Sequence, residues 1–236
     1  MSKDKRIKQL YEDIIFNSYI PQRFKNKSLS NYKPYPKNNE IYSKIKDFGK
    51  NYMDHKKNGD WLLMSGDYGL GKTHLAVGLI KEVAKTYARQ YVNRRMEFPV
   101  SIIKKKENMR PILFKNITDL LQSIKKAYNY IDVDEDQVMW EFQTVPFLVI
   151  DDLGAERLSK QDRKSDGPSW KQEKLYTILD YRYRELKTTV ITTNCTMGEL
   201  IERVSQRVVE RIQEATTTKL GLEGESYRIG GHASGV

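Results

Sequence analysis

The stretch Trp61–Thr73, WLLMSGDYGLGKT, decides how this chain is read. An apolar run, Trp61-Leu62-Leu63-Met64, breaks into a glycine-rich loop, and a helix-forming segment, His74-Leu75-Ala76-Val77, follows at once. That order is strand, loop, helix. The spacing G-x-x-x-x-G-K-T suits a phosphate cradle. Gly66, Gly69 and Gly71 permit backbone angles that turn successive N–H groups inward, and the following helix presents its positive end to the same anion. The loop residues Gly66, Asp67, Tyr68, Gly69, Leu70 and Gly71, with His74 behind them, are the candidate nucleotide contacts. Lys72 is placed to reach the β- and γ-phosphates, and the Thr73 hydroxyl to ligate Mg²⁺. ATP or ADP with Mg²⁺ is the ligand expected.

With 236 residues, 39% hydrophobic and 31% charged, the chain is expected to bury one sizeable core in a single α/β domain with short appendages. No apolar run approaches the length of a membrane span, and the N-terminus lacks the apolar core of a signal peptide, so a cytoplasmic protein without membrane contact is expected. The single cysteine, Cys195, excludes an internal disulfide framework, and His55, His74 and His232 have no metal-ligand spacing. Nucleotide-bound Mg²⁺ is the only metal these residues suggest. A formal charge of +10 and a pI near 9.4 point toward polyanionic partners. Arg89, Arg94, Arg95, Lys104, Lys105, Lys106 and Arg110 cluster against only Glu97 and Glu107. Most such runs are solvated faces; those in Arg94 to Lys106 are also candidate DNA contacts.

A second stretch, Val145-Pro146-Phe147-Leu148-Val149-Ile150-Asp151-Asp152, describes a buried parallel strand ending in two acids at its C-terminal edge, where ligands bind in open α/β sheets. Asp151 is the candidate Mg²⁺ holder, and Asp152 the residue that orients or deprotonates an attacking water. The β-branched strand Thr188–Thr193 ends in Asn194, whose amide could position that water beside the γ-phosphate. Gly198 to Glu214 reads as one helix carrying Arg203, Arg207 and Arg211 at i, i+4 and i+8. This is a surface stripe, or, in an NTPase assembled head to tail, a source of arginine for the neighbour's γ-phosphate. Arg228 is a further candidate for phosphate contact.

Elsewhere, residues 1–19 suit a short amphipathic helix that either lies on its own domain or engages a partner. Prolines and asparagines make 20–36 irregular. Ile41, Ile45, Phe48 and Tyr52 predict a helix from about Asn39 to Lys57 ending near Asn58-Gly59. Helices follow from Leu75 toward Tyr91, from Thr118 to Tyr130, and from Trp170 to Glu185 with Leu175, Ile178, Leu179 and Tyr183 on the apolar side. A short strand is expected at 111–114. The expected division is an extension at 1–38, an ATPase domain at 39–229 and a flexible tail at 230–236.

Between Ile20 and Arg228 the sequence resembles the DnaC/DnaI-type bacterial and phage helicase loaders, a branch of the AAA+ ATPases that includes the IstB-type transposition helpers. The likeness rests on IPQRF, GDYGLGKTHLA, FLVIDDLGAE, LYTILDYRYREL, VITTN, QRVVER and SYR in this order. It implies a three-layer P-loop NTPase fold: a parallel sheet flanked by helices, a short N-terminal helical extension and no large lid domain. It further implies that Asn194 is the sensor 1 residue, Arg207 the arginine finger with Arg211 close by, and Arg228 the sensor 2 arginine. The function implied is an ATPase that self-associates on single-stranded DNA and delivers or remodels a replicative helicase. Two alternatives are a helper that binds duplex DNA and a transposase, and a non-hydrolysing module that captures a helicase or loader. The segments from Val92 to Met109 and from Arg157 to Ser169 are longer than the family pattern.

Overall fold

The computed structural model describes residues 1–93, 110–129, 134–155 and 168–227. Within them, five parallel strands form one sheet: β1 Trp61–Ser65, β2 Ile112–Asn116, β3 Phe147–Leu153, β4 Thr188–Thr193 and β5 Thr216–Gly221. Their order across the sheet is β2-β3-β4-β1-β5. Helices link them: α1 Lys3–Asn17, α2 Asn39–Lys50, α3 Tyr52–Asn58, α4 Lys72–Asn93, α5 Ile117–Asn129, α6 Glu135–Thr144, α7 Trp170–Arg184, α8 Met197–Val204 and α9 Gln206–Ala215.

Alternation along the strands creates the three layers. Leu62 and Met64 of β1, Phe147 and Val149 of β3 and Val190 of β4 face one core with α1, α2 and α4. Trp61 and Leu63, Leu148 and Ile150, and Ile191 face a second core with α5 to α9. Successive strand side chains point to opposite faces, so a strand covered on both sides reads as a continuous apolar run. Each fully buried leucine or isoleucine contributes about 1.5–3 kcal/mol relative to exposure. No described helix is long and apolar enough to cross a membrane.

α1 takes one of the two placements expected of it, and several other elements differ from expectation. α1 lies along α4, with Ile14 buried and Ile7, Leu10, Tyr11 and Ile15 packed on the first core. The helix expected over 39–57 breaks at Asn51, and Gly59, in the left-handed conformation, ends α3. The acids before Trp140 start an unforeseen helix: the Asp134 carboxylate caps α6 by accepting the Asp136 N–H. β5, an edge strand with alternating exposure, was also not anticipated. The helix expected from Gly198 to Glu214 is two, interrupted at Ser205 with φ +87°. Arg203 therefore belongs to α8, while Arg207 and Arg211 belong to α9, and the arginine stripe is not continuous.

On α7 the inward position after Ile178 and Leu179 is filled by Arg182, which is fully buried, while Tyr183 is half-exposed. The Arg182 guanidinium donates to the carbonyls of Phe142 (2.9 Å), Gln143 (3.2 Å) and Val145 (2.8 Å). It also donates to the Thr188 carbonyl (2.6 Å) and the Thr189 hydroxyl (2.9 Å). Two of these carbonyls close α6, whose C-terminal end carries partial negative charge. Burial pushes the guanidinium pKa down to about 9, which still leaves it charged at neutral pH. Arg182 thus joins α6, α7 and the starts of β3 and β4. Arg182→Ala is expected to cost about 3–5 kcal/mol, because the carbonyls stay buried without their donor. The urea midpoint reads this, and a midpoint like that of the parent protein would contradict it.

Candidate nucleotide-binding site

The loop 66–71 joins β1 to α4 at the C-terminal edge of the sheet. Lys72, buried at the first position of α4, donates from Nζ to the carbonyls of Gly66 (2.6 Å) and Asp67 (2.7 Å), so the loop curls around its ammonium. Two glycines are sterically required. At Gly71, φ is +86° and a Cβ would lie 2.7 Å from the Tyr32 ring; at Gly69, φ is +81° and a Cβ would collide with the Ser226 hydroxyl. The loop is therefore held from both sides by distant segments.

One of these segments is 28–38. The Tyr32 hydroxyl donates to the Leu70 carbonyl (3.2 Å), and its ring meets those of His74 and Tyr227 edge-on. The other is 222–227, where the Tyr227 N–H donates to the Gly69 carbonyl (3.0 Å). The two are tied together: Asn38 exchanges hydrogen bonds with the Glu223 backbone (2.9 and 3.2 Å), and the Tyr227 hydroxyl donates to the Lys33 carbonyl (2.5 Å). His74 faces this strap. Its Nε2 is 2.9 Å from both the Ser28 carbonyl and Asn31 Oδ1, and burial lowers its pKa. Its side chain is thus engaged away from the loop. Tyr68 is exposed, whereas Leu70 is buried and offers only its backbone.

The acids of β3 meet this loop. The Thr73 hydroxyl donates to the Asp151 carboxylate (3.0 Å), and the Thr192 hydroxyl of β4 donates to Asp151 Oδ1 (2.7 Å). Between Ile150 and Leu153 the β3–β4 register slips, and Asp152 takes φ +58°. Such a bulge re-aims a side chain. The Asp152 N–H donates to Thr192 Oγ1 (2.9 Å), and Asn194 Nδ2 donates to Asp152 Oδ1 (3.2 Å). Thr73, Asp151, Asp152 and Asn194 are therefore brought together with Lys72 at one edge. Thr192, which links the two acids, was missed because a strand threonine carries no sequence mark of its function.

This set fits a magnesium nucleotide. Thr73 and Asp151 present hard oxygen donors side by side, as Mg²⁺ prefers when it keeps most of its waters and is completed by phosphate oxygens. Burial raises the Asp151 pKa to about 6, with Asp152 adding to the rise and the Thr192 and Thr73 hydrogen bonds opposing it.

The arginines separate. Arg207 stands exposed on the first turn of α9 with its guanidinium 5.8 Å from the Tyr176 ring centre. Arg211 donates to Asp180 (3.1 Å) and Glu214 and lies 5.0 Å over Tyr183; Glu214 and then Asp180 hold its pKa up. Arg203 donates to the Gly154 carbonyl (2.5 Å), just beyond the acids. Arg228 and the basic residues Arg94 to Lys106 lie outside the described residues, as does most of the segment from Arg157 to Ser169.

No family profile matches the chain. It is 22% identical over 166 residues to the replicative helicase loader DnaC of Escherichia coli K12, covering 70% of this chain and 55% of that protein. It is 24% identical over 196 residues to the phage-like element PBSX protein XkdC of Bacillus subtilis, covering 83% of this chain and 59% of that one. A crystal structure of the DnaC helicase loader superposes with a TM-score of 0.62 at 29% identity, covering 86% of this chain and all of that one. The chain's homologues and structural neighbours include DnaC/DnaI-type helicase loaders, and a phage-like protein matches as well. The replication initiator DnaA bound to AMPPCP and single-stranded DNA matches with a TM-score of 0.59 at 18% identity over 88% of this chain and 52% of that one, a likeness of fold. The fold is that of the AAA+ P-loop NTPases. The chain spans about half the length of the curated loaders it matches.

The raised Asp151 pKa has a signed consequence. Between about pH 4 and 6 the folded state keeps a proton that the unfolded chain has released, so this residue's contribution falls as pH rises and the full penalty is present above pH 6. Asp151→Asn is expected to stabilise the nucleotide-free protein at pH 7.5 by about 2–3 kcal/mol. It should also flatten the loss of stability between pH 4 and 6. Urea titrations across that range test this, and an unchanged slope would refute it.

Proposed function

We propose that this chain is the ATP-hydrolysing domain of a replicative helicase loader. The observation that carries the reading is the seating of the β3 acids between the Lys72–Thr73 turn and Asn194, in a chain whose homologues are helicase loaders. Lys72 neutralises the β- and γ-phosphates, and the loop N–H groups with the N-terminal end of α4 hold them. Thr73 and Asp151 hold Mg²⁺, which when bound neutralises developing phosphate charge. Asp152 accepts a proton from, or orients, the attacking water, and Asn194 fixes both the Asp152 carboxylate and that water. Arg207, exposed and without a carboxylate partner among the described residues, serves the γ-phosphate of a neighbouring copy. Arg211, fixed by Asp180, supports that helix face, and Arg228 contacts the copy's own nucleotide. Copies assemble on single-stranded DNA around or against a replicative helicase, and hydrolysis releases the assembly.

Lys72→Ala is expected to abolish nucleotide binding in equilibrium titration. Arg207→Ala should keep nucleotide affinity and lose the hydrolysis stimulated by self-association, a term worth about 10³–10⁵ in rate in related NTPases. An equal loss of affinity would contradict a role in trans. For the client, light scattering after gel filtration of the chain with its host's replicative helicase, ATP and Mg²⁺ should reveal a discrete complex. Separate elution, with a loading-competent helicase as control, would remove the loader reading. It would favour a transposition helper, which a preference for duplex DNA would reveal, and leave the ATP site intact.

A further inference from the structure

At the opposite, N-terminal edge of the sheet lies a groove of about 540 Å³, within the size range of ligand pockets. Its floor is apolar. Pro111 precedes β2, and Val145 and Pro146 precede β3. Trp140 of α6 and Leu186, the latter just before β4, stand over it 48% and 55% exposed. The rim is cationic. Lys56 and Lys57 close α3, and Lys187 leads into β4.

Among the described residues these three lysines have no carboxylate partner. Lys56 has only the Tyr87 ring, 5.6 Å from its ammonium. By contrast Arg110, on the same wall, is taken by Glu141 (3.2 Å) and by the Tyr19 ring (4.1 Å). Glu185 is the one other carboxylate on the lining, so three lysines face one uncompensated acid. Burial and then the nearby Lys187 lower the Lys56 pKa, with no carboxylate opposing them. The floor is rigid as well: the Trp61 indole donates to the Lys187 carbonyl (3.0 Å), and Arg182 fixes the Val145 and Thr188 carbonyls.

An apolar cleft with a cationic rim selects one kind of occupant. Single-stranded nucleic acid is held by a run of stacking rings along a continuous positive track. Here one exposed indole stands over proline and aliphatic side chains, and the lysines gather on one side. A bulky apolar side chain fills such a floor while carboxylates beside it meet the lysines. We propose that this groove docks an acidic peptide segment of a partner protein, anchored by a large apolar residue against Trp140 and Leu186 and by its carboxylates on Lys56, Lys57 and Lys187. None of these residues belongs to the nucleotide machinery, so the docking stands or falls apart from ATP.

Fluorescence anisotropy on the full chain tests it, with a labelled peptide of aspartates ending in leucine and phenylalanine with a free carboxylate. Saturable binding is expected, weakened by salt, at least tenfold weaker with Lys56→Gln plus Lys187→Gln or with Trp140→Ala, and unchanged with Lys72→Ala. Urea midpoints verify that the variants are folded. Independently of any variant, an unlabelled peptide whose final two residues are aspartate should compete at least tenfold less well against the parent protein. Absence of saturable binding, or binding indifferent to all these changes, would overturn the proposal. So would a labelled oligothymidylate that binds tighter than the peptide and depends on the same lysines, which would make the groove a nucleic-acid site.

Discussion

Strand β4 lies between β1 and β3, so the phosphate loop and the acids that answer it are carried by strands that never touch. Two strand spacings, roughly 10 Å, separate them. Hydroxyls close that gap. Thr73 reaches across from the first turn of α4, Thr192 reaches up from the intervening strand, and both donate to the same carboxylate. The bulge that follows turns Asp152 toward Asn194 rather than into the core. Nearly the whole site depends on this arrangement, because it converts two remote loops into one oxygen-lined edge. The cost is a carboxylate in a buried place, expressed in its raised pKa. A divalent cation with phosphate would offset that cost.

The two edges of the sheet use opposite solutions to buried charge. At the C-terminal edge, Asp151 is held by the hydroxyls of Thr73 and Thr192. At the N-terminal edge, Arg182 donates to backbone carbonyls at the end of α6, just before β3 and in β4, and to the Thr189 hydroxyl, in a purely structural role. It ties the chain entering β3 to the start of β4, the two strands at whose far ends Asn194 meets Asp152. Strand-end chemistry on one side of the sheet thus depends on a guanidinium on the other.

The strap formed by 28–38 and 222–227 adds a third constraint. The first part contains two short 3-10 turns, Leu29–Asn31 and Pro36–Asn38, and with the second it presses on the backs of Gly69 and Gly71. A side chain at either glycine would collide with a distant segment as well as strain its own backbone. Both the glycine pattern and the close approach of Tyr32 and Ser226 therefore express the same shape requirement. The shape of the glycine loop and the joining of 28–38 to 222–227 over it are mechanically one feature.

Short-range patterns carried much of this protein's identity: glycine spacing after an apolar run, paired acids after another, and helical periodicity in α2, α4, α5 and α7. Those signals are legible because backbone freedom, strand burial and helix faces are properties of neighbouring residues. The resemblance, built on such stretches in order, agrees with the DnaC helicase loaders that the chain matches. Other features were set by which strands pair and which segments cross. Thr192 looks like any strand threonine until β4 is inserted beside β3. Arg182 looks like a surface arginine until the end of α6 is laid over it, and the arginine stripe of 203–211 looks continuous until Ser205 breaks it. α6 and β5 were hidden for the same reason, since an acidic cap and a half-exposed edge strand carry weak local patterns. The sequence by itself determined the chemistry available at each strand end; tertiary structure alone decided which ends meet, because that rests on burial and hydrogen bonding between residues tens of positions apart.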